Sequence, residues 1–215
     1  DARRRQGRVQ PEADLLVQMK LMVPPYVRVA RLMRDIPRKF IVAGCDDLAL
    51  RGTIRDVMRE RGLQCQCIRC REYGHRRRDG WTIGEPVLRR RDYETTDGRE
   101  VFLSWEDSSD TLFALLRLSL ARAGEHGGEA SIATVRELHV FGPEVALGSR
   151  SAAAAQHRGL GGALLAEAER ISAREGHSAV LRVLSGVGVR DYYRRLGYAL
   201  DGAYMSKSLS SVPVD

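Results

Sequence analysis

The sequence predicts an α+β fold, a mixed and mostly antiparallel sheet with helices, that follows a basic segment of different character. From Pro86 onward, short stretches alternate apolar and polar residues, as half-buried strands do. One strong helical pattern, about Leu160–Arg174, comes after four such stretches. The charge changes near the start of this region, because residues 1–90 carry 21 basic and 11 acidic side chains whereas residues 91–215 carry 14 and 17. We therefore expect a domain boundary between Gly80 and Arg89.

Composition excludes several classes of protein. The chain has 215 residues, of which 43% are hydrophobic and 29% charged, and this rules out a disordered tail, a collagen-like repeat and a small disulfide scaffold. The sequence shows no secretory signal and no run of the ~20 apolar residues that a membrane span needs, so we expect a soluble, cytoplasmic protein without a membrane partner. The first 90 residues carry a net charge of +10 and the rest −3, and the positive segment fits either a nucleic-acid surface or a solvated basic face.

The basic segment is predicted to be mainly helical. Asp14–Ile36 should form helical pieces broken at Pro24–Pro25, because two prolines remove two backbone donors and bend the chain. Phe40–Ala43 is a short apolar run of strand type. Leu48–Arg61 is predicted as an amphipathic helix with an outward row of arginines, which forms either a phosphate-facing surface or a solvated helix face. That row comprises Arg51, Arg55, Arg59 and Arg61.

The remainder is predicted to be an antiparallel meander followed by a β-α-β-α-β tail. The turn residues Thr96-Asp97-Gly98 separate the first two strands, as in a hairpin. The predicted strands are Val87–Tyr93, Glu100–Glu106, Thr111–Leu120, Ala133–Phe141, Ala179–Leu184 and Tyr204–Ser208, and the predicted helices are Leu160–Arg174 and Val189–Leu196.

A glycine-rich loop, Gln156–Ala163, follows the fourth predicted strand and opens the long helix. A pyrophosphate needs several backbone N–H groups without side chains in the way, and the start of a helix supplies the donors and a favourable dipole. Gly159, Gly161 and Gly162 permit that close approach. The alternative is a glycine-rich helix start with no ligand.

Three cysteines and a histidine lie within eleven residues, at Cys65, Cys67, Cys70 and His75. Zinc takes four such ligands tetrahedrally, and a closed set of this kind is typical of a structural site. His75 is the weakest member of the set, and Cys45 is the alternative fourth ligand. Ordinary reduced cysteines without a metal are the other interpretation.

The glycine-rich loop carries a resemblance to a known family. The pattern Gln156-x-x-Gly159-x-Gly161, with Arg158 inside it, resembles the acetyl-CoA signature of the GNAT acetyltransferases over residues of about 88–209. Longer stretches in matching order resemble the tRNA uridine(34) acetyltransferase family, which includes the catalytic subunit of Elongator. These stretches are Val23–Arg31, Arg34–Pro37, Arg71–His75, Arg136–Gly142 and Ser185–Tyr193.

The resemblance implies three regions. Residues 1–40 would be the tail of a radical S-adenosylmethionine (SAM) partial barrel, residues 41–87 a zinc-binding basic linker, and residues 88–215 a GNAT-like acetyltransferase domain. The family's 4Fe–4S cluster and S-adenosylmethionine belong to a longer radical domain. We therefore expect neither to bind to this chain, and we do not expect the radical step from it alone.

The resemblance also implies a function and a set of site residues. The family uses acetyl-CoA to build a carboxymethyl group on the wobble uridine of tRNA, and this chain would bind and hydrolyse acetyl-CoA. Tyr192 and Tyr193 would orient the thioester and assist the departure of CoA. Acetyl-CoA would contact Leu138, His139, Val140, Gln156, His157, Arg158, Gly159, Leu160, Gly161, Gly162 and Tyr193. Arginines around the cysteines and on the preceding helix would contact tRNA: Arg55, Arg59, Arg69, Arg71, Arg76, Arg77 and Arg78.

The partners and the rival functions follow from the same reasoning. The expected partner is tRNA, with a second copy of the chain or Elongator-type accessory subunits as further candidates. One rival function is a protein lysine N-acetyltransferase, which would use the same loop but needs a base, and the positive segment would repel its cationic substrates. The other rival is a zinc-stabilised tRNA-binding module whose acetyltransferase fold is inactive.

Overall fold

The computed structural model describes residues 13–33, 36–42, 47, 49–121, 132–142 and 159–209. The chain divides into two compact units, one that ends at Arg76 and one that begins at Arg77. None of the helices in these residues is both long enough and apolar enough to cross a lipid bilayer.

Four helices lie wholly or partly in the first unit. Residues 13–22 are helical (α1), and the helical stretch stops just before the predicted break at Pro24–Pro25. The amphipathic helix is confirmed as α2, Leu50–Glu60, which buries Leu50, Ile54 and Met58. Two short helices follow, α3 at Ile68–Arg71 and α4 at Tyr73–Arg78.

The helical piece predicted after the two prolines is wrong for residues 26–33, which are irregular. Their carbonyl groups bind donors from distant parts of the unit instead of a helical neighbour. The Ile68 N–H donates to Val27 O at 3.0 Å, and the Arg51 guanidinium donates to Val29 O and Ala30 O at 2.9 Å each. These three long-range hydrogen bonds occupy the acceptors that a helix would have used.

The strand predicted at Phe40–Ala43 is also wrong where the structure describes it. Arg38–Phe40 forms a single 3-10 turn, and the next two residues have no regular structure. Ala43 lies outside the described residues. Phe40 and Val42 are exposed, so this apolar run does not contribute to a sheet or to the buried cluster of the first unit.

The second unit contains a seven-stranded sheet with strand order β1-β2-β3-β4-β5-β7-β6. All neighbouring strands are antiparallel except β4 and β5, which are parallel. The strands are β1 Val87–Thr95, β2 Gly98–Glu106, β3 Leu112–Ala121, β4 Ile132–Val140, β5 Val180–Leu184, β6 Ala199–Asp201 and β7 Tyr204–Ser208. The helices are α5 Leu160–Arg174 and α6 Arg190–Arg195. The predicted α+β class is confirmed, and so is the antiparallel meander followed by alternating strands and helices.

The core of the second unit lies between α5 and one face of the sheet. Leu164, Leu165 and Ile171 on α5 pack against residues of the central strands, such as Leu116 and Leu118. The sequence prediction missed β6, which is three residues long and exposed throughout, so it has no buried face to give an alternating pattern.

A network of ionic groups joins the β1–β2 hairpin to the end of α5. The Arg90 guanidinium donates to both carboxylate oxygens of Asp92, at 2.7 Å each, and to both of Glu175, at 2.7 and 2.6 Å. Arg99 adds a third donor to Glu175 at 3.1 Å. The hydrogen bonds from Arg90 lower the pKa of Glu175 to about 2, well below its ordinary value.

Replacing Arg90 with glutamine should raise the pKa of Glu175 toward its ordinary value of about 4.3. A lowered native pKa contributes stability that is present above the ordinary pKa and is lost as the pH falls toward 2. The wild-type chain should therefore be more stable than the variant near neutral pH, and the difference should disappear in strong acid. NMR titration of Glu175 and denaturation at several pH values would measure both effects. Arg174→Gln, an exposed neighbour on α5, should leave the pKa of Glu175 unchanged.

Candidate functional site

The parallel strands β4 and β5 separate part of the way along the sheet. They pair from Ile132 with Val180 to Val135 with Val183. β4 then continues to Val140 without a β5 partner among the residues that the structure describes. On that side, the backbone of residues 136–140 has no strand partner among the described residues, and an extended ligand could form strand-like hydrogen bonds at this opening.

Side chains from three elements meet next to this opening. A Cβ atom at Gly161, in the first turn of α5, would lie 3.0 Å from the Tyr192 hydroxyl oxygen and 3.4 Å from Val140 Cγ2. The hydroxyl of Tyr192 therefore lies directly over Gly161, which is possible because glycine has no side chain. By contrast, a Cβ atom at Gly162 would meet no heavy atom within 4 Å.

The first turn of α5 presents backbone N–H groups that have no carbonyl partner in the described part of the chain. Gly159 precedes the helix with a positive φ of 91°, a conformation that suits glycine. The Ala163 N–H donates to Gly159 O at 2.8 Å, so the N–H groups of residues 160–162 come before the first hydrogen bond within the helix. This end of the helix favours an anion. The predicted ligands Gln156, His157 and Arg158 lie outside the described residues.

The two predicted catalytic tyrosines have different surroundings. Tyr193 is 6% exposed and belongs to the core, with ring centroids 5.2 Å from Tyr192 and 5.9 Å from Tyr198, both in edge contact. Tyr192 is partly buried, and its hydroxyl group reaches the start of α5. Burial raises the pKa of both phenols, so both stay protonated at neutral pH.

The predicted contact residues on β4 divide between the two faces of the sheet. Side chains alternate along a strand, so Leu138 and Val140 share one face and His139 lies on the other. Leu138 and Leu160 pack against the core between the sheet and α5. The His139 ring lies 4.4 Å from the Phe141 ring, so the structure does not bring the His139 side chain to Gly161 and Tyr192.

The three clustered cysteines come together in the first unit. Their sulfur atoms all lie within 4.8 Å of one another, and Cys65 and Cys67 are buried. A single zinc ion with bonds of about 2.3 Å keeps its thiolates about 4 Å apart, so the sulfurs are already close to the required spacing. Hydrogen bonds among the three thiols lower the pKa of Cys67 and raise the pKa of Cys65, so without a metal the group favours one thiolate, at Cys67.

Buried charged side chains hold the cysteine loop in place. Arg71 is fully buried, and its guanidinium donates to Gln66 O and Pro25 O at 2.8 Å each. Lys20, on α1, is 2% exposed, and its ammonium group donates to Cys70 Sγ at 3.5 Å. Sequence reasoning missed Lys20. The signal was its spacing from Ala13 and Val17, because positions i, i+4 and i+7 lie on one helix face and these residues are all buried.

His75 does not join the three cysteines, which corrects its assignment as the fourth ligand. Its Nε2 lies 3.4 Å from Glu72 Oε2, and the group of possible metal ligands in the described residues contains the cysteines without it. Glu72 is buried and also pairs with Arg28 at 2.6 Å and with Arg69 at 3.3 Å. The His75 imidazole therefore lies beside this carboxylate, outside the group that the three sulfur atoms form. The alternative ligand, Cys45, lies outside the described residues.

The structure also corrects part of the predicted arginine surface. Arg71 and Arg76 are buried, so their guanidinium groups are not available to a phosphate backbone. Arg69 is partly buried and pairs with Glu72, whereas Arg55, Arg59, Arg77 and Arg78 are exposed. Within the arginine row of α2, Arg51 binds two carbonyl groups and Arg61 pairs with Asp14 at 2.6 Å.

Comparison with known proteins finds no matching family model. The chain is 53% identical over 200 residues to a tRNA uridine(34) acetyltransferase from Dehalococcoides mccartyi, covering 91% of this chain and 43% of that protein. It is 43% identical over 201 residues to Elongator complex protein 3 from Schizosaccharomyces pombe, covering 91% and 37%. The chain thus spans less than half the length of these relatives.

A solved structure is also similar to the chain. The archaeal Methanocaldococcus infernus Elp3 with an N-terminal deletion aligns with a TM-score of 0.77 and 41% sequence identity. The alignment covers 92% of this chain and 48% of that one. The similarity therefore extends over both the sheet and most of the basic segment.

The contact between Gly161 and Tyr192 can be measured as a coupling free energy. Gly162→Ala should stabilise the chain by about 0.5–1 kcal/mol, because alanine favours a helix and has open space there. Gly161→Ala should give less or no gain, because its methyl group displaces the Tyr192 hydroxyl. In a Tyr192→Phe background the two alanine substitutions should become similar. Urea denaturation of these variants measures the effect, and equal gains at both positions in the wild-type background would contradict the contact.

Proposed function

The chain is a homologue of the tRNA uridine(34) acetyltransferase and Elongator complex protein 3 family over 91% of its length, and we propose that it supplies that family's acetyl-CoA site. The whole enzyme would use acetyl-CoA to build 5-carboxymethyluridine at the wobble position of tRNA. The observation that carries the proposal is the meeting of Tyr192, Val140 and Gly161 beside the end of β4, which has no β5 partner among the described residues.

The geometry of the opening suits the two ends of acetyl-CoA. The pyrophosphate would accept hydrogen bonds from the N–H groups at the start of α5, where the helix dipole favours negative charge. The amide groups of the pantetheine arm would pair with the backbone of β4 at residues 136–140. The thioester would then lie near the Tyr192 hydroxyl.

Tyr192 is the better placed proton donor of the two tyrosines. Water attacks the carbonyl carbon, and its two protons pass to solvent as acetate forms. When the C–S bond breaks, the departing sulfur takes a proton from the Tyr192 phenol, and solvent returns one proton to the phenolate. Acetate and free CoA are the products. Because burial keeps the pKa of Tyr192 above its ordinary value, the phenol holds its proton at neutral pH. Tyr193 would act by packing against the Tyr192 ring and holding it in place.

The exposed arginines are the proposed tRNA contacts. Arg55 and Arg59 lie in the first unit, and Arg77 and Arg78 in the second. Phosphate contacts of this kind give an affinity that falls steeply with salt concentration. Backbone contacts would position the tRNA, and the target base would have to leave its stack to react.

The cysteine group is the proposed zinc site. Three clustered sulfur atoms and one further ligand would close the coordination shell, as a structural zinc site requires. Cys65, Cys67 and Cys70 would hold the ion, and it would stabilise a loop between α2 and α3. Cys45 is the proposed fourth ligand, because His75 is paired with Glu72.

Hydrolysis of acetyl-CoA by the purified chain, with and without tRNA, tests the enzymatic proposal. tRNA should stimulate turnover, and Tyr192→Phe should lower kcat by about 10²–10⁴-fold, the usual value of a positioned proton donor. Tyr193→Phe is the matched control, since it keeps the core ring, and it should cost less than Tyr192→Phe. The melting temperature of each variant should stay near that of the wild type.

Other results would select a rival. Turnover stimulated by lysine peptides and not by tRNA would favour a protein lysine acetyltransferase. Salt-dependent tRNA binding without turnover would favour an inactive binding module. A larger loss in Tyr193→Phe than in Tyr192→Phe would reverse the roles of the two tyrosines.

Metal analysis of the purified chain tests the zinc proposal. The wild type should carry about one zinc ion per chain, and Cys67→Ser should lose it, because the four-ligand shell can no longer close. His75→Ala should keep the ion, whereas Cys45→Ser should weaken its binding. Loss of zinc in His75→Ala and retention in Cys45→Ser would restore the histidine as the fourth ligand.

A further inference from the structure

Lys20 is a buried cation without a carboxylate partner among the described residues. It is 2% exposed and lies on the face of α1 that also buries Ala13 and Val17. Burying an ammonium group costs several kcal/mol unless a counter-charge and hydrogen bonds compensate for the lost water. A lysine at such a position therefore needs a specific partner.

The partner that the structure provides is a sulfur atom. Lys20 Nζ lies 3.5 Å from Cys70 Sγ, and in the described part of the chain this is the hydrogen bond that the ammonium group makes. The nearby carboxylate of Glu72 pairs with Arg28 and Arg69, and its Oε2 lies 3.4 Å from His75 Nε2. Among the described residues, the cysteine group is therefore the source of negative charge that lies next to Lys20.

Charge balance connects the lysine to a metal. One divalent ion bound to three thiolates has a net charge of −1, and a fourth thiolate would make it −2. Such a centre, buried as Cys65 and Cys67 are, needs a nearby positive charge for the same reason that Lys20 needs a negative one. Lys20 is the cation that the structure places against it.

We propose that Lys20 is an outer-sphere partner of the proposed zinc centre, donating a hydrogen bond to the Cys70 thiolate and neutralising the excess negative charge of the metal–thiolate group. The inference rests on the zinc site proposed above. Outer-sphere partners of this kind typically change metal affinity by about 10–100-fold. Lys20 is a positioning and charge-compensating residue and does not bind the metal.

The proposal predicts effects of opposite sign in the two metal states. Lys20→Met keeps the size of the side chain and removes its charge. In the metal-free chain, the substitution removes a costly buried cation, so the melting temperature should be unchanged or higher. In the zinc-loaded chain, it leaves the thiolate charge uncompensated, so the melting temperature should fall and zinc should bind about 10–100-fold more weakly in competition with a chromophoric chelator.

Spectroscopy with Co²⁺ in place of zinc adds a readout that loss of packing alone would not produce. A hydrogen bond from an ammonium group lowers the energy of the sulfur lone pairs, so its removal should shift the thiolate-to-cobalt charge-transfer band to longer wavelength. Lys20→Arg, which restores charge and donors, should recover most of the affinity and the band position. Lys39→Met is the matched control, because Lys39 is exposed and its ammonium group lies over the Phe40 ring.

The outcomes separate the two proposals. If the wild type binds no zinc, the zinc site itself is wrong. If the wild type binds zinc and Lys20→Met matches it in affinity, band position and melting temperature, the role of Lys20 is wrong while the zinc site stands. If Lys20→Met is destabilised equally with and without metal, Lys20 is a packing residue, and the proposal is again overturned.

Discussion

The candidate acetyl-CoA site depends on the parallel pairing of β4 with β5, which stops at Val135 while β4 continues to Val140. Two parallel strands must be joined by a crossover, here α5, so the chain leaves the end of β4 and returns to the start of β5. Because the strands are parallel, the elements that follow them begin at the same end of the sheet, where both strands finish. α5 follows β4 and α6 follows β5, which brings Gly161 and Tyr192 together although they are far apart in the chain. The opening beyond Val135, between β4 and β5, lies at that same end of the sheet.

Buried charge organises the first unit in place of a large apolar core. Arg71 binds one carbonyl group inside the cysteine loop and one in the segment after α1. Glu72 pairs with two arginines and lies close to His75, and Lys20 contacts Cys70. Each of these groups would be costly if it lost its partner. The loop is therefore specified by a set of long-range polar contacts, and a zinc ion on the three sulfurs would complete that set.

Regular elements were predictable where their own residues carry the pattern. Leu160–Arg174 and Tyr204–Ser208 have the bounds that the sequence predicts, because a helix and a strand that pack against a core repeat their apolar residues with the period of the element. The pattern failed between α1 and α2. There, the carbonyl groups of Val27 and Val29 accept hydrogen bonds from Ile68 and Arg51. The local sequence of residues 26–33 does not indicate those partners.

The sequence by itself determined the fold class, the glycines at the start of α5 and the presence of three cysteines at a metal-binding spacing. These features follow from local composition and period, which a single chain displays directly. The tertiary structure decided which tyrosine hydroxyl reaches Gly161, which arginines are buried, that His75 lies beside Glu72, and that Lys20 lies against Cys70. Those choices depend on partners up to 50 residues away, because a buried charge or a hydroxyl is defined by what the fold places opposite it.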